Sequence, residues 1–571
     1  MKVIFDSINS VKFTVKVLKM KSCQQKICLI FGTLLIIGFF LNIDYFQDTK
    51  SDTHDQIGNI SELKASGTYE NFTIDNLPGS SNNWDWAESQ EWCSGQGTLQ
   101  NPYIIQGHTL GVDNLQGGIK ISNSDDVYFI IRNCEVLWNG SIATGMERGI
   151  YIVNSTKGTI INNTVHGISS GIRIVECEDL NIAENIVYSA MAGIYFTLSE
   201  FCTIEGNNVY STDNGIFLTY SENNTVKNNI AYSNEFGIYL TYSYYTEIFG
   251  NTMDNNNIGG IKLAYSNFNN ITDNDSRGNI DGIHLEDECD NNTVKNNDFS
   301  NNNIGIEMYY ADFNTIIGNI AKNNQYNGIR LEVCENNTVT RNIFKNNTQY
   351  GIYVQTGSYN NSFSENFLLN NGLHAYDEGL DTCWNSTTVG NYWDNHTGPD
   401  VSPQDGIVDV PYTHIGGIPG HRDYLPIAED GAPRITIHSP SAGRSFGSKA
   451  PTLNIEVIDS TPVEMWYTLD GGLHNYTFFY IILYYYTYST FVGGVAQTAW
   501  DAIPDGNVTI TFYAIDVAGN KASKEVTVIK SVSPEIPGLD PGFIVAIIVI
   551  SIVGGIAVLS VAYIFLKKRK V

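Results

Sequence analysis

Gly215-Ile216-Phe217-Leu218-Thr219-Tyr220, then Thr225-Val226-Lys227-Asn228-Asn229, is the stretch that decides the fold. Apolar and polar residues alternate within it, which is the period of a strand and not of a helix. The next copy begins at Gly237-Ile238-Tyr239-Leu240. Working outward, a Gly-Ile pair recurs at Gly149, Gly171, Gly193, Gly215, Gly237, Gly260, Gly282, Gly305, Gly328 and Gly351, at intervals of 22 or 23 residues. Each Gly is followed by a second apolar position, from Ile160 and Ile182 through to Val339 and Phe363. Three residues later an asparagine stands in every copy: Asn163, Asn185, Asn207, Asn229, Asn251, Asn274, Asn297, Asn319, Asn342 and Asn366.

Short strands broken by Gly and Asn-Asn imply several strands per repeat, joined by tight turns. A parallel pair needs a crossover, and a coil of this length supplies one by winding once round. Stacked coils put equivalent residues about 4.8 Å apart, so the Ile and Val positions pile up as a core. The asparagine amides can then bond from coil to coil, with Asn tolerating left-handed φ at the turn. Gly is expected to supply the bend into the next strand. The reading is an all-β chain: a right-handed parallel β-helix, a β-sandwich, and transmembrane helices at both termini.

The tandem G-I-x-[LI] and N-N-x-[VI] units resemble the parallel β-helix repeats of the NosD-like group. Gly97-Thr98-Leu99-Gln100-Asn101-Pro102-Tyr103-Ile104-Ile105 is similar to the segment that opens such helices. Gly390-Asn391-Tyr392-Trp393-Asp394, Asp405-Gly406-Ile407-Val408-Asp409 and Pro411-Tyr412 are similar to the segment that closes them. The resemblance spans residues 85–428. It implies a surface or envelope protein, and the NosD name implies copper handling or metalloenzyme maturation. Copper wants Met, Cys and His in groups. Seven methionines, ten histidines and nine cysteines are instead dispersed, with no Cys/His zinc spacing.

Beyond the repeats, residues 433–530 alternate as strands separated by turns such as Asp470-Gly471-Gly472, which predicts a small β-sandwich. Tyr513-Ala514-Ile515-Asp516-Val517-Ala518-Gly519-Asn520 looks like the last hairpin of bacterial and archaeal Ig-like surface domains. Pro541-Gly542-Phe543 resembles a sorting signal of archaeal surface proteins. An aromatic stretch, residues 478–491, reads as a hairpin or a contact surface.

Residues 1–26 are basic and 27–43 apolar, which reads as a signal peptide or signal anchor. Residues 44–84 read as a linker, as do 531–541. The apolar run 543–566 is long enough to span a bilayer, and the tail 567–571 is basic. The positive-inside rule then puts both termini in the cytoplasm and residues from about 45 to 541 outside. N-x-S/T triplets at Asn71, Asn139, Asn154, Asn223, Asn291, Asn336, Asn385, Asn395, Asn475 and Asn507 fit glycosylation on that side.

The formal net charge of -28 excludes a nucleic-acid partner, because no basic surface is available for phosphate. Candidate partners are the membrane and glycans or surface-layer polymers. Register places Tyr151, Tyr195, Phe217 and Tyr239 on one outward row and Tyr220, Tyr242, Tyr265 and Tyr310 on a second. Either row is a sugar-stacking stripe or a ladder that stabilises the sheet. The densest ionisable group is His284, Glu286, Asp287, Glu288, Glu307, Arg330 and Glu332. His284, Glu307 and Arg330 are expected as neighbours on successive coils, either as a solvated ion ladder or as the acid, base and cation of hydrolase or lyase chemistry. Asp400, Asp405 and Asp409 supply oxygen ligands of the kind calcium takes, at spacings of no standard loop; no other cofactor is implied. Three functions follow: a non-catalytic glycan-binding surface protein, a carbohydrate-active enzyme centred near Glu307, or a maturation factor.

Overall fold

A computed structural model describes residues 68–532, apart from 70, 113–116, 139–146, 402–404, 430, 460–462, 478–488 and 517–518. The apolar segments 27–43 and 543–566 and most of the aromatic stretch 478–491 lie outside these residues. Among the described residues no helix is long and apolar enough to cross a membrane.

Each repeat contributes strands to three parallel sheets. Six-residue strands such as Asn214–Thr219 and Phe236–Thr241 form a sheet of 14 strands among the described residues. Three-residue strands such as Thr225–Lys227 form a second sheet of 13. The third is split into runs of seven and four strands, bridged by single pairings through Thr252, Asp275 and Asp298. The coil is a right-handed parallel β-helix, as parallel crossovers require.

Ile172, Ile194, Ile216, Ile238, Ile261, Ile283, Ile306, Ile329 and Ile352 stack in the interior with no exposed surface. Each contributes roughly 1.5–3 kcal/mol of burial. The asparagine ladder forms as expected: Asn185 donates its backbone N–H and its Nδ2 to Oδ1 of Asn207 at 2.9 and 3.0 Å. The same bonds carry on as far as Asn391. Two further ladders run beside it, through Asn269, Asn292, Asn314, Asn337 and Asn361 and through Asn234, Asn256, Asn279 and Asn302. A small-residue slot joins Cys177, Ser199, Ser221 and Ser243, each backbone N–H donating to the next side chain.

Two local expectations are corrected. The ladder asparagines do not take the left-handed conformation; the residue before each does, as at Asn162 (φ 54°), Asn228 (φ 54°) and Asp273 (φ 55°). The ladder amide is thereby free to be buried. Nor does the repeat Gly make a bend, for Gly193 lies inside the strand Ala192–Thr197. A Cβ on Gly193 would sit 2.3 Å from Val209 Cγ1 and 2.5 Å from the Gly215 carbonyl oxygen. Close approach of neighbouring coils is what demands Gly there.

The solenoid also begins earlier than residue 85. Thr68–Tyr69 and Phe72–Asp75, within the expected linker, pair in parallel with Thr109–Val112 and Ile119–Ser122. A short helix, Trp84–Glu88, covers that end, with Trp84 donating to Ser124 Oγ at 2.8 Å and stacked on Tyr103. At the other end buried Asp423 accepts from Trp393 Nε1 at 2.9 Å and from the Asn391 N–H at 2.6 Å.

Residues 434–530 form a separate two-sheet β unit with its own core of Ile455, Trp500, Ile510, Phe512 and Val528. One sheet holds Arg434–Ser439, Thr452–Ile458 and Ser489–Gly494. The other is built around the long hairpin Gly506–Asp516 and Lys521–Lys530.

Candidate functional site

The outward row of the 14-stranded sheet follows the expected register. Tyr151, Arg173, Tyr195, Phe217, Tyr239, Lys262, His284, Glu307, Arg330, Tyr353 and Tyr376 pair in that order, coil to coil. Its aromatic members stack on one another: Tyr195 on Phe217 and Phe217 on Tyr239, each at 5.0 Å. Tyr220 on Tyr242 and Tyr242 on Tyr265 lie at 4.9 and 4.8 Å with planes within 5°. Arg148 covers Tyr151 at 4.6 Å, and Tyr310 meets Tyr309 edge-on. In the stacked runs the inner rings, Phe217 and Tyr242, have a parallel ring on both sides. A ladder that sequence reading missed, His166, Tyr188, Tyr210 and Tyr232, stacks the same way on the seven-strand run; its 22-residue spacing was the available signal.

The rings at the far end differ. Tyr350 is tilted 36° to Tyr353 and 42° to Tyr376, and Tyr353 meets Tyr376 at 72°. Such a group presents ring faces that no parallel neighbour occupies. All three side chains are half-buried.

Between the stacked rings and this open group lies the charged part of the row. Lys262 pairs with Glu286 at 2.8 Å. His284 lies 3.4 Å from Asp281 through Nδ1 and 3.5 Å from Glu286 through Nε2. Arg330 pairs with Glu332, and its Nη1 lies 3.4 Å from Glu307 Oε1. Gln355, with its amide oxygen toward the guanidinium, accepts from Arg330 Nη2 and Nε at 3.0 and 3.1 Å. Asp287 and Glu288, expected in the same group, instead occupy left-handed turn positions (φ 52° and 58°) beyond the strand Asp281–Glu286. Asp281, which sequence reading did not single out, is brought in.

Glu307 stands apart from its neighbours. It is 6% exposed although it lies on the outward face, and its Oε2 has no hydrogen-bond partner. One position along the face, buried Asn327 Oδ1 is also without a partner. Burial pushes the Glu307 carboxyl up to about 8; Arg330 opposes the shift and Asp281 and Glu332 add to it. Glu307 therefore carries its proton at neutral pH and is a hydrogen-bond donor.

This has a measurable consequence. An unfolded Glu ionises near 4.5 and the folded one near 8, so the folded state holds the extra proton between these values. Stability is then lost as pH rises from about 4.5 to about 8. Glu307→Gln is expected to leave stability at pH 4 nearly unchanged and to raise it at pH 8.5 by roughly 2 kcal/mol, allowing for local relaxation. Denaturant midpoints of both proteins at the two pH values check this.

Asp400, Asp405 and Asp409 each accept from backbone of their own loop: Gly406 N–H at 2.9 Å, Ile407 N–H at 3.1 Å and Val401 N–H at 2.9 Å. Among the described residues no three His, Cys, Asp or Glu side chains are grouped to hold a metal ion.

The chain is similar in structure to the periplasmic alginate epimerase AlgG (13% identity, 56% of this chain and 84% of that one, TM-score 0.32). It is also similar to the A-module of the mannuronan C-5 epimerase AlgE6 of Azotobacter vinelandii (15% identity, 56% and 91%, TM-score 0.34). A third is the Dettilon tailspike protein (13% identity, 74% and 86%, TM-score 0.33). At these identities the likeness is one of fold alone. No curated protein matches the chain. The family described as periplasmic copper-binding protein (NosD) matches residues 102–275 and 255–398.

That description names copper, and the side chains of the described residues do not fit it. A copper site needs thiolate, thioether or imidazole donors converging on one point. Cys177, Cys202 and Cys334 are buried, donate to backbone carbonyls of Val175, Glu200 and Glu332, and have thiols pushed up to about 12 by burial. Met253 and Met308 are fully buried in the coil core. The family assignment rests on the solenoid and not on a donor set: covering just over half of the chain, the match shows that the protein belongs to the NosD family.

Proposed function

We propose that this protein is an extracytoplasmic glycan-binding β-helix, tethered to the membrane, whose ligand lies on the outward face of the 14-stranded sheet from His284 to Tyr376. The observation that carries the reading is the buried Glu307 carboxyl with an unpartnered oxygen, set on an outward face beside tilted tyrosine rings. A buried polar atom without a partner costs about 1–3 kcal/mol, and a ligand hydroxyl or ether oxygen removes that cost. Tilted rings without a parallel neighbour suit the apolar face of a sugar, while Arg330 and Asn327 offer polar contacts. The net charge of -28 disfavours a polyanion and favours a neutral polymer. The Ig-like reading of residues 433–530 gives that unit the role of a spacer from the membrane, and calcium and sequon glycosylation are not required.

Affinity electrophoresis of the full chain through gels containing starch, laminarin, xylan or galactomannan tests the proposal. Retention by at least one polymer is expected. Tyr353→Ala should weaken it about tenfold, corresponding to about 1.4 kcal/mol of lost stacking, and Tyr220→Ala should leave it unchanged. Retention by no polymer, or equal losses in the two variants, would contradict it.

A further inference from the structure

The geometry around Glu307 supports more than binding. Resting on the glycan-binding reading, we infer that this face is a glycoside-hydrolysing centre for neutral polysaccharide, with Glu307 as proton donor and Asp281 as the base that activates water.

The two carboxyl groups are both buried on one face and differ in what they meet there. Glu307 is the buried group whose free oxygen has no partner in the fold, so its proton has only a ligand to meet. Asp281 is 8% exposed and sits in the neighbouring strand, three residues before the His284 that pairs with Glu307. Its Oδ2 lies 3.4 Å from His284 Nδ1. One carboxyl with an oxygen free for a ligand and a second carboxyl in the adjoining strand are the two groups that acid and base roles at one bond require. The charged groups facing Glu307 are Asp281 and His284 on one side and Arg330 and Glu332 on the other.

In the step itself, Glu307 Oε2–H transfers its proton to the glycosidic oxygen as the bond from that oxygen to the anomeric carbon breaks. Water oxygen forms the new bond to the anomeric carbon, and Asp281 takes the proton that water gives up. Asp281 returns that proton through solvent to Glu307, so one water is consumed per bond cleaved and no oxidant or metal is needed. Arg330, 3.4 Å from Glu307 Oε1, stabilises the carboxylate formed when Glu307 releases its proton. Stacking on Tyr353 and Tyr376 fixes the adjoining sugar. The ladder end of the row, from Tyr195 to Tyr239, has no carboxyl of this kind and takes no part.

The test is release of reducing ends by the full chain from each of starch, laminarin, xylan and galactomannan, alongside the retention measurement. Wild type is expected to release reducing ends from a polymer that it retains. Glu307→Gln should lower that rate at saturating polymer by a factor of 100 or more, well beyond the roughly tenfold weakening of retention expected for Tyr353→Ala. Asp281→Asn should lower it likewise, and the wild-type rate should fall as pH rises through about 8. Retention without reducing ends at any pH between about 4 and 9 overturns the hydrolytic inference and leaves the binding reading intact. Turnover by Glu307→Gln at the wild-type rate also overturns it. Failure of retention itself falls on the binding reading, and this inference falls with it.

Discussion

Asn229→Ala is expected to destabilise the folded chain by about 4 kcal/mol. Asn229 is fully enclosed, and its Oδ1 accepts both the backbone N–H and the Nδ2 of Asn207 at 2.9 Å. Its own Nδ2 donates to the carbonyls of Ile204 and Lys227 and to Asn251 Oδ1. Truncation removes all of these at once and leaves at least one buried backbone N–H with no partner and no water. Each such group costs about 1–3 kcal/mol, and two or three are exposed to that cost. Asn228→Ala, one residue away, is the control. Asn228 is exposed, so only the left-handed conformation is made less favourable, by about 1–2 kcal/mol. Guanidinium titration followed by circular dichroism compares them, and equal shifts would mean that the ladder is not what holds successive coils in register.

Gly193→Ala is expected to cost at least as much, by crowding instead of by loss. The new methyl carbon would lie 2.3 Å from Val209 Cγ1 and 2.5 Å from the Gly215 carbonyl oxygen. A side chain can rotate away, but that carbonyl is fixed in the pairing of the strands Ala192–Thr197 and Asn214–Thr219. Overpacking of a close-packed interior costs about 1–3 kcal/mol where neighbours can shift, and here one neighbour is backbone. A value of about 4 kcal/mol follows, with a lowered yield of folded protein. Gly206→Asn makes the contrast. Gly206, unlike Gly193, has positive φ, but its nearest contact would be 3.6 Å away, and Glu184 and Asn228 hold the same corner in adjoining coils. It should fall within about 1 kcal/mol of wild type, measured in the same titration.

Much of the fold was legible in the repeat, because periodicity reports which residues share a row. The pairing of His284 with Glu307 and of Glu307 with Arg330 follows directly from counting along the coils. Counting does not report why a residue is needed. Gly193 reads as a bend and turns out to be a place of close approach; Asn163 reads as left-handed, whereas Asn162 is. The candidate site was half legible for the same reason. Register marks Glu307 as outward, and only the side chains around it in three adjoining strands make it buried. Asp281 was overlooked because it lies at the turn end of its strand, off the row two places after each Gly. The tyrosines show the remaining difference. Tyr195 and Tyr353 occupy equivalent positions, yet one ring is stacked face to face and the other stands at an angle to its neighbours. Tyr350, beside Tyr353 in the adjacent column, is tilted against both Tyr353 and Tyr376, and the period of the repeat does not report such angles.

The most direct test of a glycan face centred on Glu307 is a crystal structure of the full chain with an oligosaccharide of the polymer it retains. Sugar rings are expected across Tyr376, Tyr353 and Arg330, with a ligand oxygen within hydrogen-bond distance of Glu307 Oε2. Sugar on the Tyr220, Tyr242 and Tyr265 row, or on residues 434–530, with Glu307 Oε2 still unpartnered, would contradict it.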